Sequence, residues 1–188
     1  MSYTTVLAVH PGEKVEELFE LGNAWGSAPV IWDAMAQKYL DKPHFMAATF
    51  EDSGEKLWAL CRDESVPLVH RTLHLMTMDR MYIEKKDFKH AAQDIRAFLN
   101  DFPQPENHIN HWPAIADYLD SDPDVPAIGF HMTSVSDKEN VDLAMLQLKS
   151  KQTPDGKHVF AVSDNDEEQG FTDKVKNLFA SSDNDELQ

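Results

Sequence analysis

The sequence predicts an α+β fold, a mainly helical single domain with a small β-sheet and an acidic C-terminal tail. The helical part is clearest in DFKHAAQDIRAFLNDF, where apolar residues recur at intervals of three and four. The sheet is indicated by YTTVLAVH (3–10) and AIGFHMTSV (127–135), short runs rich in apolar and β-branched residues. The tail contains the heptad SDNDEEQ (163–169) and ends in a near copy, SDNDELQ (182–188).

The first strand, residues 3–10, ends at a Pro-Gly pair. The stretch EKVEELFELG that follows predicts a helix, because its apolar residues Val15, Leu18 and Phe19 fall on one helical face. Gly22 then suits the C-terminal stop of this helix.

The link GNAWGSAP predicts a turn into a second helix. Ser27 can cap that helix and Pro29 can occupy its first turn. Its apolar stripe consists of Ile31, Met35 and Tyr39. We expect Trp25 and Trp32 to lie in the core.

The middle of the chain is less regular. Residues 41–64 predict loops at Pro43 and Gly54 around a short apolar piece, LWAL. Residues 66–81 predict a helix that is apolar around much of its circumference and therefore buried. Its methionines could form an adaptable binding face, but their spacing favours the core: Met76, Met78 and Met81.

The best-defined helix is capped by Asp87 and ended by Pro103. We place Ile95 and Leu99 at the centre of its apolar stripe, with Phe98 beside it. The other members of the stripe are Phe88, Ala91, Ala92 and Phe102. A short helix over 113–119 and the strand 127–135 follow, and TPDG predicts a later hairpin turn. Residues 139–150 fit either a helix or a strand.

The net charge is the extreme feature of the composition. The chain has 33 acidic and 17 basic residues, a formal charge of −16. Residues 161–188 hold eight of the acids and two lysines, which leaves a charge of −10 on the first 160 residues. Such a surface repels nucleic acids and anionic membranes and attracts basic proteins. We therefore expect a protein partner with a basic surface, and no direct binding to nucleic acid or membrane.

Two patterns could indicate metal sites. His70 and His74 in HRTLH are four residues apart on the predicted helix, a spacing that lets two imidazoles face one ion. However, Arg71 stands where a metalloprotease needs its glutamate, and nothing fixes the further ligands Asp79 and His44 in space. HINH, with His108 and His111, is weaker still.

The heptads do not form a calcium-binding loop. Counted from Asp164, the loop has Gln169 where a glycine is needed and Val175 where a bidentate glutamate is needed. We interpret them as a solvated tail spanning 163–188, with one short amphipathic segment, after a single domain spanning 1–162.

Several chemistries lack their sequence signatures. The chain contains no GxGxxG, Walker or nucleophile-elbow motif, and its single cysteine, Cys61, predicts a half-buried free thiol. The N-terminus lacks the basic start of a secretory signal, and no apolar run approaches the roughly 20 residues of a membrane span. We predict no catalytic residue and no cofactor, and we expect a cytoplasmic location.

Four stretches resemble small proteins encoded by tailed phages and prophages, for which no activity is assigned. They are SYTTVLAVHPGEKVEELFELGNAWGSAPVIWDAM, MTMDRMY, DFKHAAQDIRAFLNDFP and HWPAIADYL. The resemblance covers about residues 2–135 and does not extend beyond residue 136. It implies a bacterial host cytoplasm during infection or lysogeny, and it carries over no catalytic residue.

Three functional hypotheses follow. The first is a non-enzymatic acidic phage or prophage accessory protein that binds a host or phage protein, with carboxylates mimicking nucleic-acid phosphates. The second is a metal-dependent enzyme that uses His70 and His74. The third is a small-ligand-binding protein built on residues 3–40.

Overall fold

The structure, a computed structural model, describes residues 2–11, 14–52, 54–78 and 81–132. These residues form a four-stranded sheet and six α-helices, which confirms the predicted α+β class. The strands are β1 (Tyr3–His10), β2 (Lys14–Gly22), β3 (Tyr82–Glu84) and β4 (Ala127–His131). The helices are α1 (Ala28–Leu40), α2 (Phe45–Asp52), α3 (Glu55–Ala59), α4 (Leu68–Met76), α5 (Phe88–Asp101) and α6 (Trp112–Asp120). The boundary at 162/163, residues 139–150, the TPDG turn and both heptads lie outside the described residues.

The strands lie in the order β2-β1-β4-β3, and each neighbouring pair is antiparallel. Val6 of β1 is opposite Phe130 of β4, and Ile83 of β3 is opposite Ile128 of β4. These four side chains belong to one hydrophobic core that also contains residues of all six helices. Because side chains alternate between the two faces of a strand, the helices cover one face of the sheet.

Strand β2 corrects the helix predicted for EKVEELFELG. Val6 pairs with Phe19 but Leu7 pairs with Glu17, so Leu18 is an extra residue in β2. This bulge moves the apolar residues out of simple alternation. Their positions, 15, 18 and 19, then imitate the period of a helix. Pairing with β1 along the whole strand outweighs the helix propensity of its Glu and Leu residues.

The GNAWGSAP link joins a strand to a helix, whereas the sequence predicted a turn between two helices. Gly22 ends β2, and a 3₁₀ turn over Ala24–Gly26 leads into α1. Ser27 occupies the N-cap position of α1 as predicted, but its side chain makes no capping hydrogen bond. Trp32 lies in the core as predicted. Trp25 does not, since 47% of it is exposed.

The middle of the chain is more helical than predicted. The chain leaves helical structure at Pro43 and Gly54 as predicted, but the helices α2 and α3, which were not predicted, lie on either side of Gly54. Helix α4 is confirmed but is shorter than the predicted 66–81. The three methionines of this region are buried, which confirms the core assignment and removes the alternative of an exposed methionine face. Strand β3 has no counterpart among the predicted elements.

Helix α5 confirms the predicted apolar stripe with one change at its centre. Ile95 is fully buried as expected. Phe98 is also fully buried, whereas Leu99 is only half-buried, so Phe98 takes the central place predicted for Leu99. Asp87 precedes the helix, but its side chain makes no capping hydrogen bond.

The short helix α6 and the strand β4 are both confirmed. The start of α6 is fixed to the link before α1: the His111 backbone N–H donates to the Gly26 carbonyl (2.8 Å), and the Trp112 indole N–H donates to the Ser27 carbonyl (2.9 Å). The His111 ring contacts the Gly22 carbonyl at 2.9 Å. His111 is therefore a structural residue of this junction.

Candidate functional site

A cleft lies where the last turn of α1, the first turn of α4 and the end of α5 meet. Its volume is about 560 Å³, within the range of roughly 300–1,000 Å³ that is usual for small-molecule sites. We call it the His70 cleft. It is lined by Ala34, Gln37, Lys38, His70, Asp101 and Phe102.

A chain of two hydrogen bonds crosses this cleft wall. The Nε2 atom of His70 lies 2.8 Å from Oδ2 of Asp101, and its Nδ1 atom lies 2.5 Å from the hydroxyl of Tyr39. An ionised carboxylate only accepts hydrogen bonds, so Nε2 of a neutral imidazole donates to Asp101. Nδ1 then accepts from the Tyr39 O–H. The three side chains connect α1, α4 and α5.

The His70 ring is held firmly from its other sides. Its side chain is only 7% exposed, and it packs against the rings of Phe98 (5.4 Å between centroids) and Phe102 (4.8 Å). Burial, together with the nearby charge of Asp101, raises the pKa of Tyr39. Tyr39 therefore remains protonated at neutral pH and is available as a hydrogen-bond donor to His70.

The predicted pair of His70 and His74 has different surroundings in the structure. His70 lines the cleft with both ring nitrogens engaged, whereas His74 is fully buried and packs against Trp58. His44 is elsewhere, where its Nδ1 accepts from the Ala47 backbone N–H at the start of α2. Asp79 lies outside the described residues. Across the described ranges, no group of three or more His, Cys, Asp or Glu side chains is placed to hold a metal ion.

Sequence reasoning missed the two partners of His70. The sequence places Tyr39 in an apolar stripe and gives Asp101 no role. Each is 31 residues from His70. No local spacing could have linked them, because only the packing of α1 and α5 around α4 brings them together.

A second notable surface is acidic. Residues 97–132 contain six Asp or Glu residues and no Lys or Arg, and all six acids are exposed. Four of them follow one another from the end of α6 into the loop before β4. We call these four the aspartate cluster: Asp117, Asp120, Asp122 and Asp124.

Two cations from neighbouring elements contact the aspartate cluster. Arg96 of α5 lies 2.9 Å from Asp117 and 2.5 Å from Asp120. Lys85 lies 2.9 Å from Asp124, and its hydrogen bond lowers the pKa of that carboxyl. Asp117 is nevertheless 78% exposed. Arg96 and Lys85 therefore restrain Asp117, Asp120 and Asp124, and all four carboxylates of the cluster stay exposed.

Comparison with known proteins identifies no relative of this chain. No family model, curated protein or solved structure matches the chain. The resemblance to phage proteins therefore stays a prediction. Among the helices of the described segments, none has the length and apolar character needed to cross a membrane.

Proposed function

We propose that this chain is a non-enzymatic, acidic accessory protein of a phage or prophage that binds a basic surface on another protein. The observation that carries the proposal is the aspartate cluster, four exposed carboxylates in a region from residue 97 to 132 that holds no Lys or Arg. The charge of −10 on the first 160 residues adds a long-range attraction to the same kind of partner.

The aspartate cluster has the charge needed to compete with nucleic acid for a basic protein surface. A protein surface that binds phosphates presents Lys and Arg side chains, and carboxylates satisfy the same cations. Arg96 and Lys85 reduce repulsion among the four aspartates without burying them. Where the partner's basic surface is its nucleic-acid-binding face, occupation by the cluster blocks the nucleic acid.

Capture from a nuclease-treated bacterial lysate tests this proposal. The bait is full-length protein in which the heptad acids are replaced by amides, since the heptads could attract basic proteins by themselves. We expect a captured partner to elute between about 0.3 and 1 M salt, where the Debye length falls from roughly 6 to 3 Å. Added duplex DNA should displace it at low salt.

Two matched variants separate the cluster from general charge. Asp120→Asn/Asp122→Asn/Asp124→Asn alters the cluster, and Glu16→Gln/Glu17→Gln/Glu20→Gln alters three exposed residues of β2; each removes three negative charges. We expect only the first to lose the partner. Equal losses would mean that overall charge, and not the cluster, attracts it. A partner retained in 1 M salt, or not displaced by DNA, would contradict the proposal.

A further inference from the structure

We propose that the His70 cleft binds a small zwitterionic molecule of the class of free α-amino acids with an apolar side chain. This site is separate from the aspartate cluster and does not depend on the function proposed above. The wall of this cleft is held by hydrogen bonds, carries two opposite charges and includes apolar surface from Ala34 and Phe102.

The cleft wall is organised before any ligand binds. His70 is buried, and both of its ring nitrogens are hydrogen-bonded to groups on other helices. This arrangement fixes the Asp101 carboxylate relative to α1 and α4. A binding group held in this way loses little conformational entropy when a ligand arrives.

The polar groups of the cleft match a zwitterion. Asp101 uses Oδ2 for His70, which leaves Oδ1 to accept hydrogen bonds from an ammonium group. Lys38 lines the same cleft and provides a cation for a carboxylate. Among the described residues no ion pair joins Lys38 to Asp101, so the Lys38 ammonium and the Oδ1 atom of Asp101 can each contact a ligand, while Oδ2 of Asp101 stays with His70.

Part of the remaining lining is apolar, and the amide of Gln37, which also lines the cleft, donates to the Pro43 carbonyl. Ala34 and the ring of Phe102 contribute apolar surface beside the two charges. A simple anion would meet Asp101 and the overall charge of −16, and a simple cation would leave Lys38 without a partner. A molecule with an ammonium group, a carboxylate and an apolar group can contact Asp101, Lys38 and the apolar surface at the same time.

Calorimetric titration of the full-length chain with leucine, methionine and phenylalanine tests the proposal directly. N-acetyl-leucine lacks the ammonium group, and leucinamide lacks the carboxylate. We expect at least one of the three amino acids to bind. Removing either charge from the best ligand should weaken binding about tenfold or more, equivalent to about 1.4 kcal/mol.

Variants then locate the site. Lys38→Gln should lower affinity for the amino acid about tenfold while leaving leucinamide-type ligands unaffected, and Asp101→Asn should weaken every ligand that carries an ammonium group. Lys89→Gln and Glu106→Gln are matched controls, because both residues are exposed and neither lines the cleft. If Asp101→Asn disturbs the fold, the ligand series on the unaltered protein still measures the contribution of each charge.

Three results would overturn the proposal. The first is the absence of binding by all three amino acids at about 10 mM, a concentration well above the range in which such a site would serve as a specific receptor. The second is equal binding of N-acetyl-leucine, leucinamide or glucose, which would show that the paired charges do not select the ligand. The third is binding that Lys38→Gln and Asp101→Asn leave unchanged.

Discussion

At the scale of single residues, the side chains that join distant parts of the chain decide the architecture. His70 joins three helices through Tyr39 and Asp101. Phe98 lies beside it in the core and packs against both His70 and Phe102. The most buried residues of α5 are therefore set by contacts with His70 as well as by helical periodicity.

The stripe of α5 gives a first prediction. Ile95→Ala should lower the free energy of unfolding by about 2–5 kcal/mol, through lost burial and a residual cavity. Leu99→Ala should cost clearly less, because Leu99 is only half-buried. Urea denaturation of the two variants measures the difference. A cost below about 0.5 kcal/mol for Ile95→Ala would mean that this face is exposed.

Cys61 gives a second prediction. Its thiol is 3% exposed, its Sγ atom donates to the Trp58 carbonyl at 2.9 Å, and burial raises its pKa from 9.0 to about 11. Since the thiolate is the reactive form, a disulfide reagent at pH 8 should label the native protein far more slowly than the urea-unfolded protein. Equal labelling rates would mean that the thiol is exposed in the native state.

The same pKa shift has a consequence for stability at alkaline pH. The folded state holds its thiol proton more tightly than the unfolded state. The contribution of this group is therefore complete below pH 9 and is lost as the pH rises from 9 towards 11. Cys61→Ala should remove this part of the pH dependence, and an unchanged profile would assign the dependence to other groups.

At the scale of elements, β2 lies at one edge of the described sheet, and its own residues hinder pairing with another chain. It pairs only with β1 among the described strands, and it presents Glu16, Glu17 and Glu20 to solvent. Charged side chains and bulges on an edge strand hinder pairing with another chain. β2 has both.

Removing this protection should cause association. We expect Glu17→Val/Glu20→Val to form concentration-dependent oligomers, detected by light scattering after size-exclusion chromatography. Lys89→Val/Gln93→Val, on the exposed surface of α5, is the control for added apolar area. A double variant of β2 with the same molar mass as the control at every concentration would show that the glutamates are not needed to protect the edge.

The elements also show what the sequence could and could not predict. Five elements were predictable because the spacing of their apolar residues fits one type of secondary structure and their ends carry clear signals. They are β1, α1, α5, α6 and β4. β2 was not, because the bulge at Leu18 replaces strand alternation with a helix-like spacing. The His70 cleft was not predictable either: the sequence suggested a pair with His74, whereas the partners of His70 come from helices 31 residues away on each side.

At the scale of the whole molecule, acidic residues are spread along the chain: the first 160 residues carry −10 of the formal charge of −16. Residues 163–188 lie outside the described residues, and our prediction for them rests on composition. Polar residues of this kind bury too little apolar area to offset the entropy of ordering, about 1–2 kcal/mol per residue. Their removal should leave the Tm nearly unchanged. A fall of more than about 4 °C, near 1 kcal/mol or more at this size, would contradict the assignment as a tail.

The central claim is that carboxylates of the domain attract a basic partner, and the salt dependence of the association rate tests it most directly. The partner captured with the amide-substituted heptads should associate with that protein much more slowly as salt rises from about 0.05 to 0.5 M, while dissociation changes little. Asp120→Asn/Asp122→Asn/Asp124→Asn should flatten this dependence, and Glu16→Gln/Glu17→Gln/Glu20→Gln should not. An association rate that salt leaves unchanged, or a dependence that the cluster variant retains in full, would contradict the account.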